Sequence, residues 1–137
     1  MKRILAPILL LTLLFPSIAL GETMGDLVKT DGLYYKKFTD VPFTGKVTGK
    51  TQGSSRNGKR DGPFYYYHPK GGLHTQGTYK DGKKNGPWIA YYGNGQLYLK
   101  GTYKDGKKDG PWIGYDKYGN PGIYTTGTFK NGVKVSD

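Results

Sequence analysis

The chain is 137 residues long and carries 21 Lys and Arg against 10 Asp and Glu, a formal charge of +11. That length admits one small domain and excludes a multidomain enzyme. The 23 Gly and 8 Pro approach the level of a disordered chain, but 13 Tyr, 5 Phe and 2 Trp weigh against disorder, and the absence of Cys excludes a disulfide framework, Cys-ligated zinc and thiol chemistry.

Residues 1–21 read as an export signal. Lys2 and Arg3 supply the charged start, Ile4 to Phe15 the apolar run, and Ala19-Leu20-Gly21 the small residues of a cleavage site before Glu22. The apolar run is interrupted by Pro7 and is shorter than the roughly 20 residues a membrane span needs. The chain left after cleavage keeps 19 Lys and Arg against 10 Asp and Glu over 116 residues, so it remains basic. Its expected location is the periplasm or the exterior of the cell. Residues 22–30 are expected to form a spacer.

An internal repeat organises the rest. The segments Gly53 to Phe64, Gly77 to Trp88 and Gly101 to Trp112 align without gaps at a period of 24 residues, with Tyr67, Tyr91 and Tyr115 in register further along. A fourth unit starts at Gly127, and residues 31–52 match as a divergent N-terminal capping hairpin ahead of repeats over 53–137. Asp81-Gly82, Asp105-Gly106 and Asn94-Gly95 supply the small polar residue followed by glycine that tight hairpin turns require. The stretches between turns are rich in Tyr, Trp, Thr, Ile and Leu and show no helical apolar period, so each unit is predicted to be a β-hairpin. Period-two alternation sets Trp88 and Ala90 on one side of a strand and Ile89 and Tyr91 on the other. Connections this short allow only antiparallel pairing of sequence neighbours. The expected fold is therefore all-β, an elongated single-layer antiparallel meander of repeated hairpins.

The pattern Gly-x-Tyr-x-x-Gly-x-x-x-Gly-Pro-Trp-x-x-Tyr-x-x-x-Gly, preceded by Asp31-Gly-Leu-Tyr-Tyr-Lys36 and Pro42-Phe-Thr-Gly45, resembles the bacterial variant of the MORN repeat over about residues 31–134. The resemblance implies an elongated sheet of hairpins that binds partners or lipid headgroups. Many bacterial members are described as antitoxin-like, a role that in an exported chain requires an exported target.

Two sets of residues are candidates for binding. Lys59-Arg60, Lys83-Lys84 and Lys107-Lys108 occupy one place in successive units and form a basic ladder suited to anionic lipid headgroups or to phosphate-bearing or carboxylate-bearing polymers. The same residues also read as solvated turns, with Asp61, Asp81, Asp105 and Asp109 beside them. Among the aromatics, Phe64, Trp88 and Trp112, with Tyr67, Tyr91 and Tyr115, read as structural repeat positions. Tyr65, Tyr66, Tyr98, Tyr118 and Tyr124 are irregular and are expected to make exposed contacts. Stacking aromatics beside basic residues also suit nucleic acid, which export disfavours.

Catalysis has no motif to carry it. His68 and His74 lack a nucleophile and acid in any recognised arrangement and read as solvent-facing strand residues, while the repeating Asp follow turn geometry. No cofactor or metal is implied. The expected function is that of a non-enzymatic binding module whose partner is an envelope or secreted protein, docked on the aromatic face or a sheet edge, with anionic lipid or polymer as the alternative.

Overall fold

The computed structural model describes residues 20–137, so the expected export signal lies outside the described residues except for Leu20 and Gly21. In chain order the strands are β1 (Glu22–Thr23), β2 (Leu27–Thr30), β3 (Leu33–Lys36), β4 (Gly45–Thr48), β5 (Thr51–Arg56), β6 (Lys59–Arg60) and β7 (Gly62–Tyr67). They continue as β8 (Leu73–Lys80), β9 (Lys83–Tyr91), β10 (Leu97–Lys104), β11 (Lys107–Lys108), β12 (Gly110–Gly114), β13 (Gly127–Lys130) and β14 (Val133–Ser136). A 3-10 turn spans Met24–Asp26, and no α-helix occurs among the described residues. The chain is nearly all β, built on one large and mostly antiparallel sheet of order β1-β4-β5-β7-β8-β9-β10-β12-β13-β14, with β6 paired to β5 and β11 to β10.

Two kinds of turn alternate, each for a backbone reason. Asp31-Gly32, Asn57-Gly58, Asp81-Gly82, Asp105-Gly106 and Asn131-Gly132 hold both residues in the left-handed region, with φ of 49–50° for the first and 77–84° for the second. Only Gly adopts such angles freely, and Asn and Asp tolerate them best among the others, which is why this dipeptide recurs at two-residue hairpins. Asn94-Gly95 differs from the expectation. Only Gly95 is left-handed there, and the Tyr92 amide bonds the Gln96 carbonyl across a three-residue loop that is repeated at 68–72 and 116–120. The two-residue turns are tied to their neighbours by backbone bonds from Gly82 N to Arg60 O (2.9 Å), Gly106 N to Lys84 O (2.8 Å) and Gly132 N to Lys108 O (2.9 Å). Each unit is thus stitched to the one before it.

The N-terminal segment departs from the sequence reading. Residues 22–30 are no spacer: β1 pairs with β4, and β2 pairs with β3 in a separate two-stranded sheet around Asp31-Gly32. The expected single hairpin over 31–52 is divided between that small sheet and the first hairpin of the large one, β4–β5. The β1–β4 pair is parallel, against the expectation of antiparallel pairing throughout. The chain between them makes the excursion through β2 and β3 that a parallel connection requires.

The core lies on one side of the sheet. Phe64, Tyr79, Trp88, Trp112 and Phe129 are buried together, with Tyr66, Leu99 and Tyr103 packed against them. The rings run edge to face in series: Phe64–Tyr79 (5.3 Å between centroids), Tyr79–Trp88 (5.7 Å), Trp88–Tyr103 (5.4 Å) and Tyr103–Trp112 (4.9 Å). These are favoured aromatic geometries. The first Gly of each unit exists for this packing: the Phe64, Trp88 and Trp112 rings lie directly over Gly53, Gly77 and Gly101, where a Cβ has no room.

Candidate functional site

The large sheet has two unlike faces, here called aromatic and open. On the aromatic face the rings seal themselves, Phe64 being 0% exposed and Trp112 2%. The second basic residue of each turn closes the top. Arg60 lies over Phe64 (5.3 Å to the ring centroid) and Tyr79 (5.4 Å), Lys84 over Trp88 (4.3 Å) and Tyr103 (4.8 Å), and Lys108 over Trp112 (4.6 Å) and Phe129 (4.7 Å). Such cation–π contacts stabilise by about 0.5–2 kcal/mol according to their desolvation. The Arg60 guanidinium also donates through Nη1 to the Tyr66 (3.1 Å) and Tyr79 (3.3 Å) hydroxyls, which bond each other at 3.0 Å. Burial, followed by the bond to Tyr79, raises the Tyr66 phenol far above its ordinary value. Burial and repulsion from Lys84 hold the Lys108 ammonium below the usual lysine range.

The basic ladder is therefore not one edge but two rows. Because successive strand residues point to opposite faces, Lys59, Lys83 and Lys107 are exposed on the open face while Arg60, Lys84 and Lys108 are half-buried on the aromatic one. The register adds cations that the sequence reading passed over. Arg56 stands directly opposite Lys59, Lys80 opposite Lys83, and Lys104 opposite Lys107, with Lys130 at the matching place in the last unit. All seven are exposed. The signal was present, since residues flanking a two-residue turn face one another. Tyr79, Tyr103 and Phe129 were also passed over as core, although each follows the repeat Gly by two positions and so shares its face.

The candidate aromatic contacts divide as well. Tyr118 (76% exposed) and Tyr124 (85%) are open to solvent, Tyr98 is partly exposed in edge contact with Tyr92, and Tyr65 is half-buried on the open face. Tyr66 is not an exposed contact, because alternation turns it inward to the Arg60–Tyr79 bonds. Tyr67, Tyr91 and Tyr115 are half-buried, and at two of them it is the carbonyl that links units: His68 Nε2 donates to Tyr91 O (3.2 Å) and the Tyr92 hydroxyl to Tyr115 O (2.8 Å). His68 is accordingly half-buried between units, in edge contact with the exposed His74 at 4.6 Å, rather than a free strand side chain.

Across the open face the register sets out two rows. One runs Tyr65–Gln76–Ile89–Lys100–Ile113. The other carries the exposed prolines Pro63, Pro87 and Pro111, opposite Thr78, Thr102 and Thr128 respectively. Between the rows open two shallow grooves one unit apart, of about 280 and 560 Å³, which share Pro87 and Lys100. Lys100 forms no ion pair among the described residues. No group of three or more His, Asp or Glu among the described residues is placed to hold a metal ion. Compared with known proteins, the chain matches no family model, and no curated protein matches it.

Proposed function

We propose that this is an exported, non-enzymatic binding module of MORN-like hairpin units whose open face docks a protein partner in the envelope or outside the cell. The observation that carries the reading is the division of the faces. The aromatic ladder is closed by its own rings and cations, whereas the Pro, Ile and Tyr side chains opposite it line unfilled grooves that repeat with the unit. The partner segment suited to them is extended and apolar, with an acidic side chain for Lys100. An antitoxin-like role is the special case in which that partner is itself toxic.

The test uses the protein purified from the periplasm or medium of the expressing cell, with a photo-crosslinking residue at position 113 and, separately, at position 70 on the exposed loop. One discrete protein adduct from position 113, absent from position 70 and lost on Ile89→Asp, is the expected result. Adducts that do not depend on position, or that survive Ile89→Asp, would remove the open face as the docking site.

A further inference from the structure

The three cation pairs of the open face have a physical cost that folding does not explain. Residues directly opposite one another in antiparallel strands hold their side chains close, and like charges there destabilise the sheet. Arg56–Lys59, Lys80–Lys83 and Lys104–Lys107 repeat that unfavourable choice in three successive hairpins, and Lys130 extends the line. Edge protection does not account for Lys80, Lys83 and Lys104, because β8, β9 and β10 are interior strands of the large sheet. Local neutralisation reaches only the first pair. Among the described residues Asp61 pairs with Arg56, while Asp81 and Asp105, at the turns themselves, pair with no lysine.

We infer that this line of cations holds a linear, flexible polyanion laid across the hairpin ends, a function separate from docking in the grooves. Hairpins one unit apart are separated by two strand spacings, about 10 Å, so four of them present charge over about 30 Å in a track that follows the twist of the sheet. Six of the seven cations are Lys. Lys is a strongly hydrated point charge, depleted from specific protein interfaces where Arg is enriched, and it suits recognition of charge density rather than of a shaped partner. The backbone bonds between successive turns fix the spacing of the residues that carry the cations, so that spacing is set in folding and not on binding. Arg60, Lys84 and Lys108 take no part, being held over their rings on the other face.

The measurement is titration of the exported protein with long-chain inorganic polyphosphate, with tripolyphosphate and phosphatidylglycerol vesicles as separate arms. Neutralising about five phosphates predicts a slope of about −3.5 in log affinity against log salt, a loss of roughly 100-fold between 50 and 200 mM. The combined change Lys80→Gln, Lys83→Gln, Lys104→Gln and Lys107→Gln is expected to weaken binding at least about 10-fold and flatten that slope. The same change raises Tm in low salt by relieving the repulsion. Lys37→Gln, Lys50→Gln, Lys70→Gln and Lys117→Gln together alter net charge equally but leave the track intact, and affinity is expected to stay within about 3-fold. Equal losses in the two sets, tripolyphosphate bound as tightly per phosphate as the long chain, or vesicles bound in preference to the polymer would each overturn the inference. Ile89→Asp leaves polymer binding in place, which separates this result from failure of the groove.

Discussion

The tightest structural demand in the repeat is the Gly beneath each large ring, and Gly53→Ala tests it. Gly53 does not have a positive φ, so alanine meets no backbone strain there and by propensity alone would stabilise the strand by about 0.5–1 kcal/mol. Its Cβ, however, would lie 2.6 Å from Phe64 Cγ and Cδ2. An ordinary carbon contact is about 3.5–4.0 Å, so the ring must retreat by about 1 Å. Phe64 has nowhere to go, being 0% exposed between Arg60, Tyr66 and Tyr79. Overpacking of this kind costs about 1–3 kcal/mol, and releasing the ring to water costs a similar amount in lost burial. The net expectation is destabilisation by about 1–2 kcal/mol, or roughly 4–8 °C in Tm for a domain of this size. Urea unfolding followed by the fluorescence of Trp88 and Trp112 measures it. In a double-mutant cycle Gly53→Ala with Phe64→Ala should cost less than the sum of the single changes by about 1–2 kcal/mol, since the methyl then occupies the space the ring has left. Gly62→Ala, where φ is 87° and no atom lies within 4 Å of the added carbon, is the control: it should carry strain of about 1 kcal/mol and no coupling to Phe64. A neutral or stabilising Gly53→Ala, or an additive cycle, would refute the reasoning.

Three further outcomes follow from individual contacts. The Lys108 ammonium gives up its proton more readily folded than unfolded, so stability should rise with pH between those two values as the unfolded chain keeps the proton that the folded one has lost; urea melts from pH 8 to 10.5 should show this rise, and Lys108→Met should abolish it. The Tyr66 phenol, raised by burial and its bond to Tyr79, contributes stability that is complete below the ordinary tyrosine range and lost as pH climbs above about 10; Tyr66→Phe should remove that share of the alkaline loss, and an unchanged profile would show the hydroxyl to be freely solvated. Tyr92→Phe deletes the hydroxyl bond to Tyr115 O between units and should cost about 0.5–1.5 kcal/mol in the same assay, against no change if water replaces it.

Much of the fold could be read from residue spacing because the repeat carries its own backbone code. The left-handed pairs Asp81-Gly82 and Asp105-Gly106 have few alternatives to a two-residue hairpin turn. Trp88 and Trp112 had to find cover in a chain poor in aliphatics, and the glycines set 11 residues before them reserve it. The N-terminal segment was harder to read because β2 is a short strand of four residues without the repeat pattern, held by pairing with β3, and β1 gains its partner β4 only after the chain returns. Tyr66 misled for a related reason. It looks irregular in the aligned units, yet its place in β7 turns it toward Arg60 and Tyr79, a neighbourhood assembled from two further strands.

The basic turns separate the two levels most clearly. The amino-acid sequence by itself determined that two cations recur in three successive units beside a two-residue turn, because that is a matter of identity and period. Only the tertiary structure decided what each does. Period-two alternation sends one to the open face, and the strand register sets it against a second cation from across the turn. The other is drawn over one ring four residues further along the chain and one from the next unit, where burial and attraction to the ring faces hold it. A linear pattern specifies which residues are available. Which of them remain free to meet a partner depends on what the adjacent unit places above them.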